Sequence, residues 1–134
     1  LRTMEAKAVR KHLRTSPKKM RPVVNVVRGQ RVPEAINALT FLPQKTTDMV
    51  RMTIMSAVHN LMDKNQDVRI DESDLLVSEI RVDQGSAFKR FRPTSRGRAH
   101  PILKRTAHLS VTVSYVGDQA VEPAAEIASQ DAEA

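Results

Sequence analysis

The chain has 134 residues and a mass of 15.0 kDa, the size of one domain with a substantial buried core. Its 22 basic residues outnumber its 15 acidic ones, which gives a net charge of +7. The sequence holds no cysteine, which excludes a disulfide scaffold, a thiol nucleophile and a zinc site with cysteine ligands. It also lacks an apolar run of membrane-spanning length and the apolar segment of a secretory signal, so we expect an intracellular protein without membrane contact.

Charge is distributed unevenly along the chain. Residues 1–31 carry a net charge of +9, residues 32–83 carry −4, residues 84–105 carry +7 and residues 117–134 carry −5. The third of these segments contains seven cations and no acid, whereas a surface charged only for solubility mixes both signs. Two basic blocks of this kind concentrate polyanions, of which nucleic acid is the usual one.

The chain begins with a predicted strand and a predicted helix. Residues 5–14 read as a strand of poor alternation. The helix starts after Ser16, which suits the N-cap, with Pro17 at its first position. Gly29 follows the helix, where a left-handed residue commonly ends one. The predicted apolar stripe of this helix is Met20, Val23, Val24 and Val27.

Two more helices are predicted before the chain turns acidic. Pro33 opens a short helix that extends to about Phe41. A longer helix runs from Thr46 to about Lys64, because its apolar residues recur at helical spacing. An acidic loop over residues 68–74 follows.

Two strands are predicted on either side of the second basic block. Residues 75–83 form the first, and their imperfect alternation at Val77 and Ser78 indicates a β-bulge. Residues 106–116 alternate cleanly between apolar and polar side chains, so we expect one face in the core and the other in solvent.

The long connection over residues 84–105 shows neither helical spacing nor alternation, and connections of this length tend to be functional or disordered. Read as a hairpin with its tip near residues 93–97, it has about ten residues in each strand and projects roughly 30–35 Å. Phe88 and Phe91 either stack on nucleic-acid bases or pack across the hairpin or onto the domain.

Two stretches resemble one protein family. Residues 16–29 combine a Ser-Pro opening, Lys19 and Arg21 two apart, and an apolar run that closes on Arg-Gly. The second stretch has cations, a small-x-Gly-cation group and then a His that leads an alternating strand: Lys89, Ser95, Gly97, Arg98, His108, Leu109, Val111 and Val113. Both resemble the L-twenty-two family of bacterial large-ribosomal-subunit proteins, and the resemblance covers about residues 5–116.

The resemblance implies an α+β fold with three helices packed on a small three-stranded antiparallel sheet, and a long extended β-hairpin at about residues 84–105. It implies a structural constituent of the cytoplasmic large ribosomal subunit that binds its RNA and supports its assembly, with a hairpin that lines the nascent-polypeptide exit tunnel. The expected partners are large-subunit ribosomal RNA, neighbouring large-subunit proteins and the nascent chain. No enzymatic activity, cofactor, metal or homo-oligomer is expected.

The resemblance also implies which residues bind. The RNA-binding candidates are Lys7, Arg10, Lys11, Arg14, Lys18, Lys19, Arg21, Arg28, Lys89, Arg90, Arg92, Arg96, Arg98, Lys104 and Arg105. The tunnel-hairpin candidates are Phe88, Lys89, Arg90, Phe91, Arg92, Pro93, Thr94, Ser95, Arg96, Gly97 and Arg98. Thr94 departs from the family, which usually has a basic residue there, and so removes one expected phosphate donor.

Other interpretations stay open at this point. A free-standing RNA-binding or chaperone module fits the composition, whereas an enzyme has little support because no glycine-rich phosphate loop is present. His59 and Asp63 lie four apart on the third helix, where a surface contact is the expected role. Residues 117–134 form an acidic tail beyond the domain of residues 1–116, and we expect it to dock on a basic neighbour or on the domain itself.

Overall fold

Three helices and five strands make up residues 4–116, the part of the chain that the computed structural model describes. Their bounds in chain order are β1 (Glu5–Leu13), α1 (Pro17–Val27), α2 (Val32–Phe41), α3 (Thr47–Lys64), β2 (Leu75–Gln84), β3 (Phe88–Pro93), β4 (Ala99–Lys104) and β5 (Ala107–Tyr115). The predicted α+β class and the predicted elements are confirmed. The expectation for the acidic tail falls outside the described residues.

Strand β5 is the centre of the main sheet. It pairs antiparallel with β1 on one side and β2 on the other, in the order β1-β5-β2. Its apolar residues Leu109, Val111 and Val113 are fully buried beneath the helices. Ser110 and Ser114 point to the opposite face, as predicted, but each is only 9% exposed because side chains of both neighbouring strands flank them.

The helices bury the stripes that their spacing predicts. Ser16 caps α1, where its hydroxyl accepts a hydrogen bond from the Lys19 N–H. The fully buried large side chains include Met20 of α1 and Ile54 of α3. Within residues 4–116 the buried polar residues are all threonine or serine, so every charged group there reaches solvent. None of the described helices is both long and apolar enough to cross a membrane.

Helix α1 ends in a tight turn rather than in a left-handed helical cap. Gly29 has a φ of +74°, which confirms the predicted left-handed residue. Arg28 before it is extended, and the Gln30 N–H donates to the Val27 carbonyl at 3.3 Å. These dihedrals describe a type II turn, in which glycine is preferred at the third position.

Both outer edges of the sheet are partly covered. The predicted bulge in β2 is confirmed, since the pairing register shifts between Val77 and Glu79. Next to it the Val77 N–H donates to the Gln30 carbonyl, so the α1–α2 connection occupies part of this edge. On the other edge, the Asn60 amide of α3 donates to the Lys7 carbonyl of β1. Such contacts limit pairing with other chains.

Truncation of the core should cost far more than truncation of the same helix on its outer side. For Ile54→Ala we expect a loss of about 2–5 kcal/mol in the free energy of unfolding, because the fully buried side chain leaves a cavity. The matched control is Met52→Ala, on the same helix but 58% exposed, with an expected effect within about 0.5 kcal/mol. Urea unfolding measures both, and equal losses would contradict this description of the core.

Candidate nucleic-acid interface

Strands β3 and β4 form an antiparallel hairpin that projects from the end of the sheet, called the arm here. Each strand has six residues, so the arm is about 20 Å long, which is shorter than predicted. The prediction of about ten residues per strand is wrong. Residue 84 belongs to β2, residues 85–87 connect β2 to the arm, and residues 105–106 connect the arm to β5. The arm therefore extends two strands of the sheet itself.

The tip of the arm confirms the predicted turn near residues 93–97. Arg96 and Gly97 are both left-handed, with φ of 60° and 70°. The backbone N–H and the hydroxyl of Thr94 both donate to the Arg98 carbonyl, at 2.7 and 2.9 Å. Sequence reasoning treated Thr94 only as a lost phosphate donor, whereas its side chain closes the turn. A hydroxyl three residues before a glycine is a weak sequence signal for this role.

The two faces of the arm differ in chemistry. Cross-strand partners share a face, and the register pairs Phe88, Arg90 and Arg92 with Lys104, Ile102 and His100. We call this the cationic face. The opposite, apolar face carries Phe91, Pro93, Pro101, Ala99 and Leu103, with Lys89 as its one cation. Phe91 is 72% exposed, so it packs neither onto the domain nor firmly across the hairpin.

All fifteen predicted RNA-binding cations are exposed. Within residues 4–116 the ion pairs are Arg51 with Asp48 and Arg81 with Glu79, and neither pair involves a predicted RNA-binding residue. An unpaired, exposed cation contributes its whole charge to the surface potential. The predicted set therefore consists of cations whose charge the described part of the chain leaves available to a polyanion.

The fold brings the two basic blocks into contact at the base of the arm. Strand β1 ends beside the start of β5, where Leu13 pairs with Ala107. The Arg14 guanidinium then lies over the Phe88 ring, 5.0 Å from its centroid, as a cation–π contact. This contact makes the N-terminal block continuous with the cationic face of the arm.

The predicted residues do not all share one face of the fold. Lys7 and Arg10 lie on opposite faces of β1, because the strand alternates regularly between them. Arg28 follows the far end of α1, about 16 Å along the helix axis from Pro17. Their part in one shared site is therefore weaker than the sequence suggested.

A small group of side chains connects the body to the arm, and sequence reasoning missed it. The His12 N–H donates to Nδ1 of His108 at 3.1 Å, and the two rings meet edge to face. The two segments that enter and leave the arm are joined as well, since the Gly85 N–H donates to the Thr106 carbonyl and the Thr106 hydroxyl donates to the Ser86 carbonyl. We call these five residues the junction. The poor alternation of residues 5–14 was the only signal for it.

The described residues do not group the side chains that a metal site needs. Within residues 4–116 no three His, Asp or Glu side chains are grouped so that they could hold a metal ion. A cleft of about 580 Å³ on the outer side of α3 is lined by apolar Ile36, Met52 and Met55, beside Arg51, Ser56, His59 and Asn60. The expected surface contact between His59 and Asp63 is not among the ion pairs of residues 4–116.

Comparison with known proteins gives one consistent match. Residues 8–114 match the family model described as "Ribosomal protein L22p/L17e". A "Large ribosomal subunit protein uL22" of Salinibacter ruber is 53% identical over 122 residues, which cover 91% of this chain and 99% of the relative. Proteins of the same name from Magnetococcus marinus and a Synechococcus strain are 44% and 41% identical, over 81% and 93% of this chain and 94% and 95% of their own.

The junction predicts that Gly85 tolerates no side chain. A Cβ there would overlap the Thr106 hydroxyl and lie 3.2 Å from both the Thr106 carbonyl carbon and Cε1 of His108. For Gly85→Ala we expect a loss of about 1–3 kcal/mol in the free energy of unfolding, since the backbone has to shift to make room. Ser86→Ala is the control, because it keeps the carbonyl that accepts from Thr106. Unchanged urea midpoints for both variants would show that the junction is loosely packed.

Proposed function

Because the chain belongs to the ribosomal protein L22p/L17e family and is a non-enzymatic structural component of the large ribosomal subunit, we propose how its two basic blocks act there. The continuous surface at the base of the arm, together with the cationic face, binds large-subunit ribosomal RNA during assembly. The arm lines the nascent-polypeptide exit tunnel, and the globular part contacts neighbouring ribosomal proteins. The ribosomes concerned are cytoplasmic.

The observation that carries the proposal is the separation of charge and apolar surface on the arm. Arg90 and Arg92 share one face with Lys104 and His100, and residues 84–105 contain no acid at all. Guanidinium groups pair with phosphate oxygens and stack on exposed bases, which suits the cationic face to folded RNA. Phe91, mostly exposed on the other face, offers a ring to an unstacked base or to a passing polypeptide.

The shape of the protein also favours RNA over duplex DNA. The cations lie on the arm, around the end of β1 and on α1, which begins four residues after β1 ends. The common DNA-binding motifs place a recognition helix in the major groove, where it contacts base edges. A two-stranded arm about 20 Å long instead fits a cleft between RNA segments, where phosphates surround it.

Removal of two cations from the cationic face should reduce the salt dependence of RNA binding. For Arg90→Ala/Arg92→Ala we expect the slope of log affinity against log salt, with protein-free large-subunit ribosomal RNA, to fall by about 1.4–1.8, because two phosphate contacts are lost. Lys45→Ala/Lys64→Ala is the matched control, since it removes two exposed cations outside both blocks. Equal slopes for both variants would mean that net charge alone drives binding.

Assembly into the subunit is tested in cells that make this protein. On a sucrose gradient of the lysate we expect the protein to migrate with the large subunit through a high-salt wash and to leave that fraction after RNase treatment. A free peak near 15.0 kDa would favour the free-standing RNA-binding module instead.

The position of the arm in the tunnel is tested with a photo-crosslinker. Attached at Ser95→Cys in the tip, it should crosslink to the nascent chain of translating ribosomes, because the proposal places the tip beside the polypeptide. Attached at Asp63→Cys on the exposed side of α3, it should not. Equal crosslinking from both positions would contradict the tunnel placement while leaving RNA binding intact.

A further inference from the structure

Strand β1 contains a bulge that the three-stranded sheet does not need. Between the pairs Arg10–Leu109 and Leu13–Ala107, two residues of β1, Lys11 and His12, stand opposite a single residue of β5. His12 is left-handed, with a φ of 59°, which is uncommon for a residue with a Cβ. Such features are usually retained because they direct a particular group.

The group directed by this bulge is the His12 N–H. It donates to Nδ1 of His108, the residue opposite the bulge, at 3.1 Å. The ring centroids are 4.9 Å apart and the ring planes are perpendicular, an edge-to-face contact. Because Nδ1 accepts, the neutral tautomer with its proton on Nε2 is the one that fits.

The His108 ring reaches the root of the arm on its other side. A Cβ placed on Gly85 would lie 3.2 Å from Cε1 of His108, so the ring packs against the Gly85 backbone. Gly85 directly follows β2 and begins the connection to the arm. His108 therefore lies between the bulge of β1 and the chain that enters the arm.

The arm itself has few other restraints. Strands β3 and β4 make their substantial contacts with each other. At the root, Arg14 also contacts Phe88, and Thr106 is hydrogen-bonded to Gly85 and Ser86. A two-stranded ribbon alone holds its direction poorly. Over a lever of about 20 Å, a rotation of about 10° at the root moves the tip by roughly 3–4 Å.

We propose that His12 and His108 are positioning residues that set the direction in which the arm leaves the body. The left-handed backbone of His12 presents the N–H, His108 carries the contact across to Gly85, and the arm is held at one angle. Only the benefit of a fixed direction rests on the proposed function, because an arm that enters a narrow space is helped by leaving the body at one angle. The geometry and its test concern the full chain without RNA.

The test measures the direction of the arm by pulsed electron spin resonance. The chain has no cysteine, so spin labels attach only at Ser95→Cys in the tip and Asp63→Cys on α3. A second pair, Asn25→Cys on α1 with Asp63→Cys, reports on the body alone. We expect one narrow tip-to-body distribution in the reference, and a shift or broadening by roughly 3 Å or more in His108→Ala, the displacement of a rotation of about 10°.

Two further variants separate positioning from general damage. His108→Asn keeps an acceptor near the place of Nδ1 but not the Cε1 contact with Gly85, so we expect a partial return toward the narrow distribution. His59→Ala removes an exposed histidine of α3 away from the junction and should change nothing. If His108→Ala also disturbs the body pair, His12→Gly decides, because it keeps the N–H and the left-handed backbone but removes the ring that holds His108 edge to face, and so loosens the contact without a cost to the fold.

The outcomes divide clearly. Broadening of the tip pair in His108→Ala, or in His12→Gly where that variant decides, with partial recovery in His108→Asn, supports the proposal. An unchanged tip pair in the deciding variant overturns it, even if the variant is less stable. A reference distribution already as broad as that of the variant also overturns it. None of these outcomes depends on whether the protein enters ribosomes, so the proposed function stands or falls separately.

Discussion

The pairing of β5 with β1 and β2 is the constraint on which the rest of this molecule depends. The apolar face of β5 closes the core beneath the helices, and Leu109, Val111 and Val113 are fully buried there. Its start lies at the root of the arm, and the β2–β5 ladder leads into the β3–β4 ladder across the junction. The arm is a separate two-stranded ladder, and the hydrogen bond from the Gly85 N–H to the Thr106 carbonyl joins it to the sheet at the junction. A small domain can project a ribbon about 20 Å long because the ribbon continues β2 and β5, whose apolar residues lie in the core.

The division between core and charged surface follows from the cost of burying charge. Within residues 4–116 the buried polar residues are threonine and serine, while the basic side chains of both blocks reach solvent. Stability is therefore carried by other residues than those proposed to bind a polyanion. The arm is the extreme case, since it lacks acidic residues and buries little apolar surface of its own. Its side chains are available to a partner that surrounds it, as ribosomal RNA does in the proposed function.

The junction is where these two parts of the molecule meet. Gly85 permits close approach of the chain, Thr106 joins the two sides of the root, and the His12–His108 contact connects the root to β1. Each contact is modest by itself, but all of them act at the short end of a lever. Small changes of packing at this point are therefore amplified at the tip, whereas the same changes elsewhere in the sheet remain local.

The sequence by itself determined the elements, the polarity of their faces and the two basic blocks, because these depend on local spacing and composition. The cap at Ser16, the left-handed Gly29 and the bulge near Val77 were all readable in this way, and so was the family. Only the tertiary structure decided the length of the arm, the division of its cations between two faces and the contact of His12 with His108. These depend on pairing register and on residues 96 positions apart in the chain, and no local pattern encodes either. Strand register also separated Lys7 from Arg10, since neighbouring positions on a strand alternate between opposite faces whatever their charge.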